Sequence, residues 1–245
     1  MSTIIHLDQT CGIKGRSIFD NGHLIRNICD YIDQKQLQCA FICVDQEKAF
    51  DRVNYSFMMK TLESFGFHTN LIVWISIFYT NISSSVIVNN HISEPFSISR
   101  GVRQGRSLIY EPFAIKIRYD NEIVGINIPG TTETCKISLY ADDSTCSCCT
   151  DKSNEKYLFW AKTYSKASGA KINFSKSNGM FLGKWKTRSD HPFGISWIYK
   201  QKIVGFLFGR NLTHDDYWHN SSVHLQNTLR LYKSRKLSLV SKSNS

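Results

Sequence analysis

The sequence of 245 residues lacks an apolar run long enough to span a bilayer. Its longest stretch without Asp, Glu, Lys or Arg is residues 64–93, whose apolar part, residues 71–79, is too short and is followed by Asn and Ser. The first nine residues also lack the basic segment and apolar run of a secretory signal. We therefore expect an intracellular protein of the nucleus or cytoplasm, without a membrane partner.

Prolines are scarce, numbering four, and the eight cysteines lack the spacing of metal ligands. A structural zinc site usually draws on two C-x2-C pairs or on C-x2-C with H-x3-H, and no second pair of that kind is present. The densest group, C-S-C-C at residues 146–149, continues an apolar, strand-like run. We expect reduced thiols and no zinc site.

What the chain has in excess is positive charge, and that charge is concentrated near the C-terminus. The 30 Lys and Arg against 20 Asp and Glu give a net charge of +10, and residues 184–245 contain eleven of the basic residues but three acidic ones. Tryptophan and tyrosine are interleaved there, as binding to phosphates and stacked bases requires. A solvated basic face would explain the charge equally well, and composition does not separate the two.

The hydrophobic pattern predicts an α+β fold, and 42% hydrophobic residues suffice for a sizeable core. The order of elements does not suggest βαβ winding, so we predict an antiparallel sheet covered by helices on one face. The predicted helices are residues 18–31 after Ser17, 55–65, 71–79, a segment around 113–117, and 153–168 before Gly169. The predicted hairpins are residues 84–98 and 137–148. The other predicted strands are residues 40–44, 171–174, 180–182 and 202–208.

Three carboxylates stand where this pattern predicts strand ends. Asp45 closes an apolar strand, and Asp142 and Asp143 occupy the tip of the second hairpin. Nucleotidyl transfer by two metal ions requires carboxylates that converge from different strands. Turns also favour Asp for backbone reasons, so the pair alone does not decide between the two interpretations.

Ordered motifs give this pattern a context, because together they resemble the reverse transcriptases of LINE-type (non-LTR) retrotransposons. The resemblance covers residues 4–240, and several motifs in the right order are far more specific than any one. The motifs are V-D-Q-E-K-A-F-D-R-V at residues 44–53, R-G-V-R-Q-G at 100–105, Y-A-D-D at 140–143, D-Q-T-C-G-I-K-G-R-S-I-F-D-N at 8–21, S-G-A-K-I-N-F-S-K at 168–176 and K-I-V-G-F-L-F-G at 202–209.

The resemblance implies an RNA-directed DNA polymerase with the right-hand polymerase palm, an antiparallel sheet backed by helices. Its partners would be an RNA template, a DNA primer and dNTPs, and the sequence indicates no oligomeric state. Residues 1–183 would form partial fingers and palm, and residues 184–245 the primer grip and the beginning of a basic thumb.

The same resemblance assigns the catalytic residues. Asp45 and Asp142 would bind two Mg2+ ions, with Asp143 as a third and more peripheral carboxylate. Lys176 matches a lysine proposed to protonate the leaving pyrophosphate.

It also assigns the nucleotide-binding residues. Phe50 would lie under the sugar and exclude a 2′-hydroxyl, although a core phenylalanine is the plainer interpretation. Gln104 and Gly105 would border the incoming nucleotide. Lys14 and Arg16 would grip the triphosphate; outside the family they would be ordinary surface charges.

The sequence departs from the family after Gly105. The family continues with Pro-Leu-Ser-Pro and a long helix before Glu-Pro, whereas here R-S-L-I-Y leads directly to Glu111 and Pro112. About seven residues are absent, equivalent to roughly 10 Å of helix. The chain also starts after the family's first motifs and ends early in the thumb. A catalytically inactive nucleic-acid-binding remnant, or a decayed product that folds poorly, is therefore the alternative to an active polymerase.

Overall fold

A computed structural model describes residues 4–102 and 107–209, and beyond them residues 212, 222–223, 225–227 and 229–230. The chain divides into two units, residues 1–198 and residues 199–245. The helices are α1 (Ile18–Lys35), α2 (Tyr55–Ser64), α3 (Thr69–Phe78), α4 (Glu111–Tyr119) and α5 (Asp151–Ser168), and 3-10 turns cover Ser107–Tyr110, Lys184–Thr187 and Pro192–Gly194.

Short strands make up the rest of the regular structure. In the first unit they are β1 (Gln38–Val44), β2 (Ser83–Ser84), β3 (Ile87–Val88), β4 (His91–Ile92), β5 (Phe96–Ser97), β6 (Ile126–Asn127), β7 (Thr134–Cys135), β8 (Ile137–Tyr140), β9 (Asp143–Cys148), β10 (Asn178–Gly183) and β11 (Ser196–Trp197). In the second unit β12 (Lys200–Ile203) and β13 (Phe206–Gly209) pair with each other.

The central sheet has five strands in the order β11-β10-β1-β9-β8. All its pairs are antiparallel except β10 with β11. β1 is the central strand and is apolar along nearly its whole length, with Ile42 fully buried. A strand that is buried on both faces has a continuous apolar sequence. For this reason the sequence predicted β1.

Helices cover both faces of this sheet, so the expectation of a single covered face is wrong. Ser138 and Thr145 are paired across β8 and β9 and therefore share a face, and Asn21 of α1 donates to the hydroxyl of Ser138 at 2.7 Å. Ser144 points to the opposite face, where its hydroxyl lies 2.9 Å from that of Tyr157 in α5. The mixed α+β class with a helix-backed, mainly antiparallel sheet is as predicted.

The helix ends follow their local sequence. Ser17 caps α1 in a capping box with Asp20, and Gly169 ends α5 with φ +82°, a value that glycine adopts without strain. In the first predicted hairpin only Asn89 and Asn90 form the turn, with φ +48° and +65°, because His91 already belongs to β4.

Two strand predictions are wrong. Residues 171–174 do not form a strand; Ile172 makes a single bridge to Gln46. Residues 202–208 are two strands, because the chain turns at Val204 and Gly205, both with positive φ.

No helix in the described part of the chain combines the length and the apolarity needed to cross a membrane. All eight cysteines are free thiols, and none is paired in a disulfide.

Candidate active site

The ends of β1 and β9 bring two of the three carboxylates together. Val44 pairs with Ser144 at the last position of the ladder, so the next residues in the same register are Asp45 and Asp143. Tyr140 in turn pairs with Asp143 on the other side. The motifs at residues 44–53 and 140–143 therefore meet at one edge of the sheet.

Asp142 lies in the turn that joins β8 to β9. The turn has two central residues, Ala141 and Asp142. The backbone angle φ is +57° at Ala141 and is not positive at Asp142. This is the pattern of a type II′ hairpin, whose first position glycine usually fills. Asp143 was expected at the tip beside Asp142 but is the first residue of β9.

The pKa values of Asp142 and Asp143 respond to the charges beside them. Burial and then the charges of Asp142 and Asp45 raise the pKa of Asp143 to about 6, although Asp143 is an exposed residue. Burial raises the pKa of Asp142 as well, with a further contribution from Asp45 and an opposing one from a backbone hydrogen bond. Like charges this near disfavour one another's ionised forms, and a bound cation would relieve that repulsion.

Within the part of the chain that the structure describes, no Lys, Arg or His forms an ion pair with Asp45, Asp142 or Asp143. Among the same residues, no three His, Cys, Asp or Glu side chains lie close enough together to hold a metal ion. Carboxylate oxygens are the donors that Mg2+ prefers. The donor chemistry therefore fits Mg2+, while a preformed three-ligand cage is not part of the described arrangement.

The segment after α5 is hydrogen-bonded to the end of β1. The amide of Asp45 donates to the buried hydroxyl of Ser177 at 3.1 Å, and the carbonyl of Asp45 accepts from the amide of Asn173 at 2.9 Å. The amide of Glu47 donates to the carbonyl of Lys171 at 2.8 Å. The motif at residues 168–176 thus sets the backbone of the strand end that carries Asp45.

Phe50 lines a cavity of about 270 Å³ together with Asp142 and residues 46, 48, 49 and 51. Its ring is 8% exposed and packs edge-on against Tyr110, with 5.7 Å between centroids. Its carbonyl accepts from the amide of Val102 at 2.8 Å, which joins the motif at residues 100–105 to the motif at 44–53. Phe50 therefore packs in the core and also lines the cavity that contains Asp142.

The other predicted site residues that the structure describes, Lys14, Arg16 and Lys176, form no described hydrogen bond or ion pair with the three carboxylates. Lys14 and Lys176 are exposed in turns. The guanidinium of Arg16 donates to the backbone carbonyls of Ile5, His6 and Gln9 at 3.0, 2.5 and 2.6 Å, so its described contacts are with this chain. Binding of the triphosphate by Lys14 and Arg16, and protonation of pyrophosphate by Lys176, stay predictions.

Gln104 and Gly105 lie outside the described residues, as does nearly half of the basic C-terminal segment, residues 184–245. The helix that follows them, α4, has nine residues and starts at Glu111, directly after the stretch in which the sequence departs from the family pattern. Glu111 is 1% exposed and accepts twice from the guanidinium of Arg118, each time at 3.1 Å. This buried pair was not predicted from the sequence.

Gln9 is the residue near the site that sequence reasoning missed. It lies within the motif at residues 8–21 but was given no role, because its partner, Ala141, is 132 residues away in the sequence. The side chain is fully buried, and its amide bonds to both backbone groups of Ala141. The sequence carried no local signal for this contact.

The chain is similar to a known protein family and to known proteins. The model of a family described as "Reverse transcriptase (RNA-dependent DNA polymerase)" matches residues 3–208. A Xenopus laevis protein described as "Transposon TX1 uncharacterized 149 kDa protein" is 32% identical over 226 residues, which are 89% of this chain and 17% of that protein. The chain thus spans about a sixth of that relative's length.

Among solved structures, apo telomerase from Candida tropicalis, truncated from the C-terminal domain, superposes with a TM-score of 0.53 at 15% sequence identity. The match covers 79% of this chain and 38% of the telomerase chain. Identity this low makes the similarity one of fold, and the shared fold is the helix-backed polymerase palm.

Proposed function

The chain belongs to the reverse transcriptase family, as a domain of the non-LTR retrotransposon type, and from that premise we propose that it is an RNA-directed DNA polymerase. It adds deoxynucleotides to a DNA primer annealed to an RNA template. One observation carries the proposal: Asp45 and Asp143 lie at adjoining ends of β1 and β9 with Asp142 in the turn before β9, the charge of Asp45 adds to the raised pKa of Asp142 and of Asp143, and none of the three forms an ion pair with a described basic residue.

Asp45 and Asp142 are the proposed ligands of two Mg2+ ions, and Asp143 is a third carboxylate beside them. When bound, the metals neutralise charge on the triphosphate and favour ionisation of the primer 3′-hydroxyl. The chain itself holds Asp45 at the end of β1 and Asp142 in the turn before β9. Hydrogen bonds to Ser177 and to Gln9 fix the backbone of these two segments. Strand ends set the direction of a side chain better than a free loop does.

Phe50 is proposed to contact the sugar from the cavity it shares with Asp142. A ring there leaves no room for a 2′-hydroxyl and so selects deoxynucleotides. Gln104 and Gly105 border the nucleotide, Lys14 and Arg16 bind its triphosphate, and Lys176 protonates pyrophosphate. Residues 1–183 provide fingers and palm, and residues 184–245 the primer grip and the start of the thumb.

A second candidate is a non-catalytic protein that holds RNA through its basic C-terminal part. Two observations favour it: the described carboxylates do not form a three-ligand cage, and α4 has only nine residues. Electrostatic binding of this kind weakens steeply as salt is raised, which separates it from a product that binds no RNA.

Primer extension tests the proposal. The purified chain is given a DNA primer on an RNA template, dNTPs and Mg2+, and is compared with Asp142→Asn and with Asp30→Asn, which removes an exposed carboxylate of α1. We expect Asp142→Asn to reduce extension by on the order of 10³-fold, or about 4 kcal/mol of barrier, and Asp30→Asn to match the wild type. A folded wild type that extends no primer but binds RNA would replace the polymerase by the second candidate.

A further inference from the structure

Gln9 contacts the hairpin turn that carries Asp142, and it does so with every polar atom of its side chain. Its Nε2 donates to the carbonyl of Ala141 at 3.1 Å, and its Oε1 accepts from the amide of Ala141 at 3.0 Å. The same Oε1 accepts from the amide of Cys11 at 3.0 Å. A side chain that satisfies both backbone groups of one residue fixes the plane of the two peptides that flank it.

The backbone of Gln9 is itself fixed to the strand that leads into this turn. Gln9 bridges Leu139 of β8 in parallel. The amide of Leu139 donates to the carbonyl of Asp8 at 2.9 Å, and the amide of Thr10 donates to the carbonyl of Leu139 at 3.2 Å. The backbone of Gln9 is therefore held beside Leu139, and its side chain reaches Ala141, two residues further along the hairpin.

The turn needs such support because of its conformation. Ala141 has φ +57°, in the left-handed region that a residue with a Cβ adopts only at a cost in free energy. A conformation of this kind persists when the surrounding structure determines it from several sides. In the described part of the chain, Gln9 supplies the hydrogen bonds to both the amide and the carbonyl of Ala141.

We propose that Gln9 is a positioning residue for nucleotidyl transfer: its buried amide holds the Ala141–Asp142 turn so that Asp142 and Asp143 face Asp45. The proposal rests on the proposed polymerase function. The side chain of Gln9 contacts the backbone of Ala141 and of Cys11. It acts through Ala141, whose peptide units lead directly into Asp142.

The variant Gln9→Met keeps the volume of the side chain and removes its hydrogen bonds. The matched control is Ser153→Ala. Ser153 is also fully buried and also links two backbone groups of another segment, accepting from the amide of Val124 at 2.9 Å and donating to the carbonyl of Glu122 at 3.1 Å. Both variants lose buried hydrogen bonds, but only Gln9→Met frees the turn.

Three readouts separate positioning from mere stability. Hydrogen exchange at the amide of Ala141 should be slow in the wild type and in Ser153→Ala, and at least about tenfold faster in Gln9→Met. The Mg2+ concentration for half-maximal extension and the Kd for Mn2+, followed by electron paramagnetic resonance without nucleic acid, should rise about tenfold in Gln9→Met only. The kcat should fall by roughly 10- to 100-fold with little change in the KM for primer-template, as expected of a misplaced catalytic group.

The outcomes are distinguishable. A wild type that extends primers, beside a folded Gln9→Met with unchanged metal requirement and kcat, overturns the assignment of Gln9 alone. If Gln9→Met does not fold, Gln9→Asn replaces it, and fast exchange of the Ala141 amide in the wild type overturns the assignment without any variant. A folded wild type without extension or Mn2+ binding overturns both the polymerase function and the role of Gln9.

Discussion

Two acidic clusters of this protein differ in whether the fold provides their positive charge. In the first, Arg118 donates to Asp8 at 2.6 Å and to Glu111 at 3.1 Å, so both carboxylates have a cation built into the chain. In the second, Asp45, Asp142 and Asp143 have no described basic partner within ion-pair distance. The first cluster is complete as folded, whereas the second is where we propose that a cation from outside binds.

This difference distinguishes a carboxylate that stabilises the fold from one that we propose to bind an ion or substrate. Burial raises the pKa of Glu111 while Arg118 opposes that rise, and burial raises the pKa of Asp142 while Asp45 adds to it. A cluster whose members only repel one another destabilises the fold, so its presence is better explained by the ion or substrate that it binds. The predictions below test each side of this contrast.

The largest effect is expected on activity, from Asp45→Asn. The change removes one proposed metal ligand, so primer extension should fall by on the order of 10³-fold. The thermal midpoint should not fall, because the variant also removes repulsion from Asp142 and Asp143 and keeps the backbone hydrogen bonds to Ser177 and Asn173. Primer extension and calorimetry on the same samples measure both. A variant that loses stability together with activity would mean that the carboxylate is structural.

Arg118→Met should show the opposite pattern, a large loss of stability. It leaves Glu111, 1% exposed, without its cation, and removing one partner of a buried pair costs about 3 kcal/mol of unfolding free energy. The double variant Arg118→Met/Glu111→Leu should recover much of the loss, because no unpaired charge is then buried. Urea unfolding measures all three proteins. Equal stabilities of the single and double variants would contradict a burial penalty at Glu111.

The sequence predicted the candidate site better than it predicted what supports the site. Asp45 and Asp142 were proposed as site residues because apolar strands end at acids and because the order of motifs is specific to the family. The role of Gln9 and the pairing of Glu111 with Arg118 depend on contacts between parts of the chain that no local pattern joins.

Some elements were mispredicted for local reasons. Residues 202–208 have the composition of one strand, and the turn at Val204 depends on a positive φ that a β-branched residue seldom adopts. Residues 171–174 alternate like a strand, but their backbone hydrogen bonds go to the segment after β1, at Asp45 and Glu47. In both cases tertiary contacts outweighed the local pattern.

A pH dependence should separate the two clusters further. The folded pKa of Asp143 is about 6, above its ordinary value of 3.8, so the folded state binds more protons than the unfolded state between these values. The contribution of Asp143 to the free energy of unfolding should therefore decrease as pH rises from about 4 to about 6. The difference in stability between the wild type and Asp143→Asn, measured by urea unfolding across this range, reports it.

Millimolar Mg2+ should abolish that difference, because the ion binds the charged carboxylates and opposes their repulsion. The matched control is Asp30→Asn, whose difference in stability from the wild type should not respond to Mg2+. A slope that Mg2+ leaves unchanged would mean that the carboxylates of the second cluster do not bind the ion.

The smallest effect is expected from Lys171→Met, which tests whether pairing alone, without burial, contributes to stability. Lys171 lies 2.8 Å from Glu47, two residues beyond Asp45, and lowers the pKa of Glu47 in an exposed position. Solvent screens such a pair, and Arg52 offers Glu47 a second cation at 3.3 Å. Urea unfolding should not distinguish Lys171→Met from the wild type, even though it removes a salt bridge as Arg118→Met does. A loss comparable to that of Arg118→Met would show that burial of the acid is not what sets the energy of the first cluster.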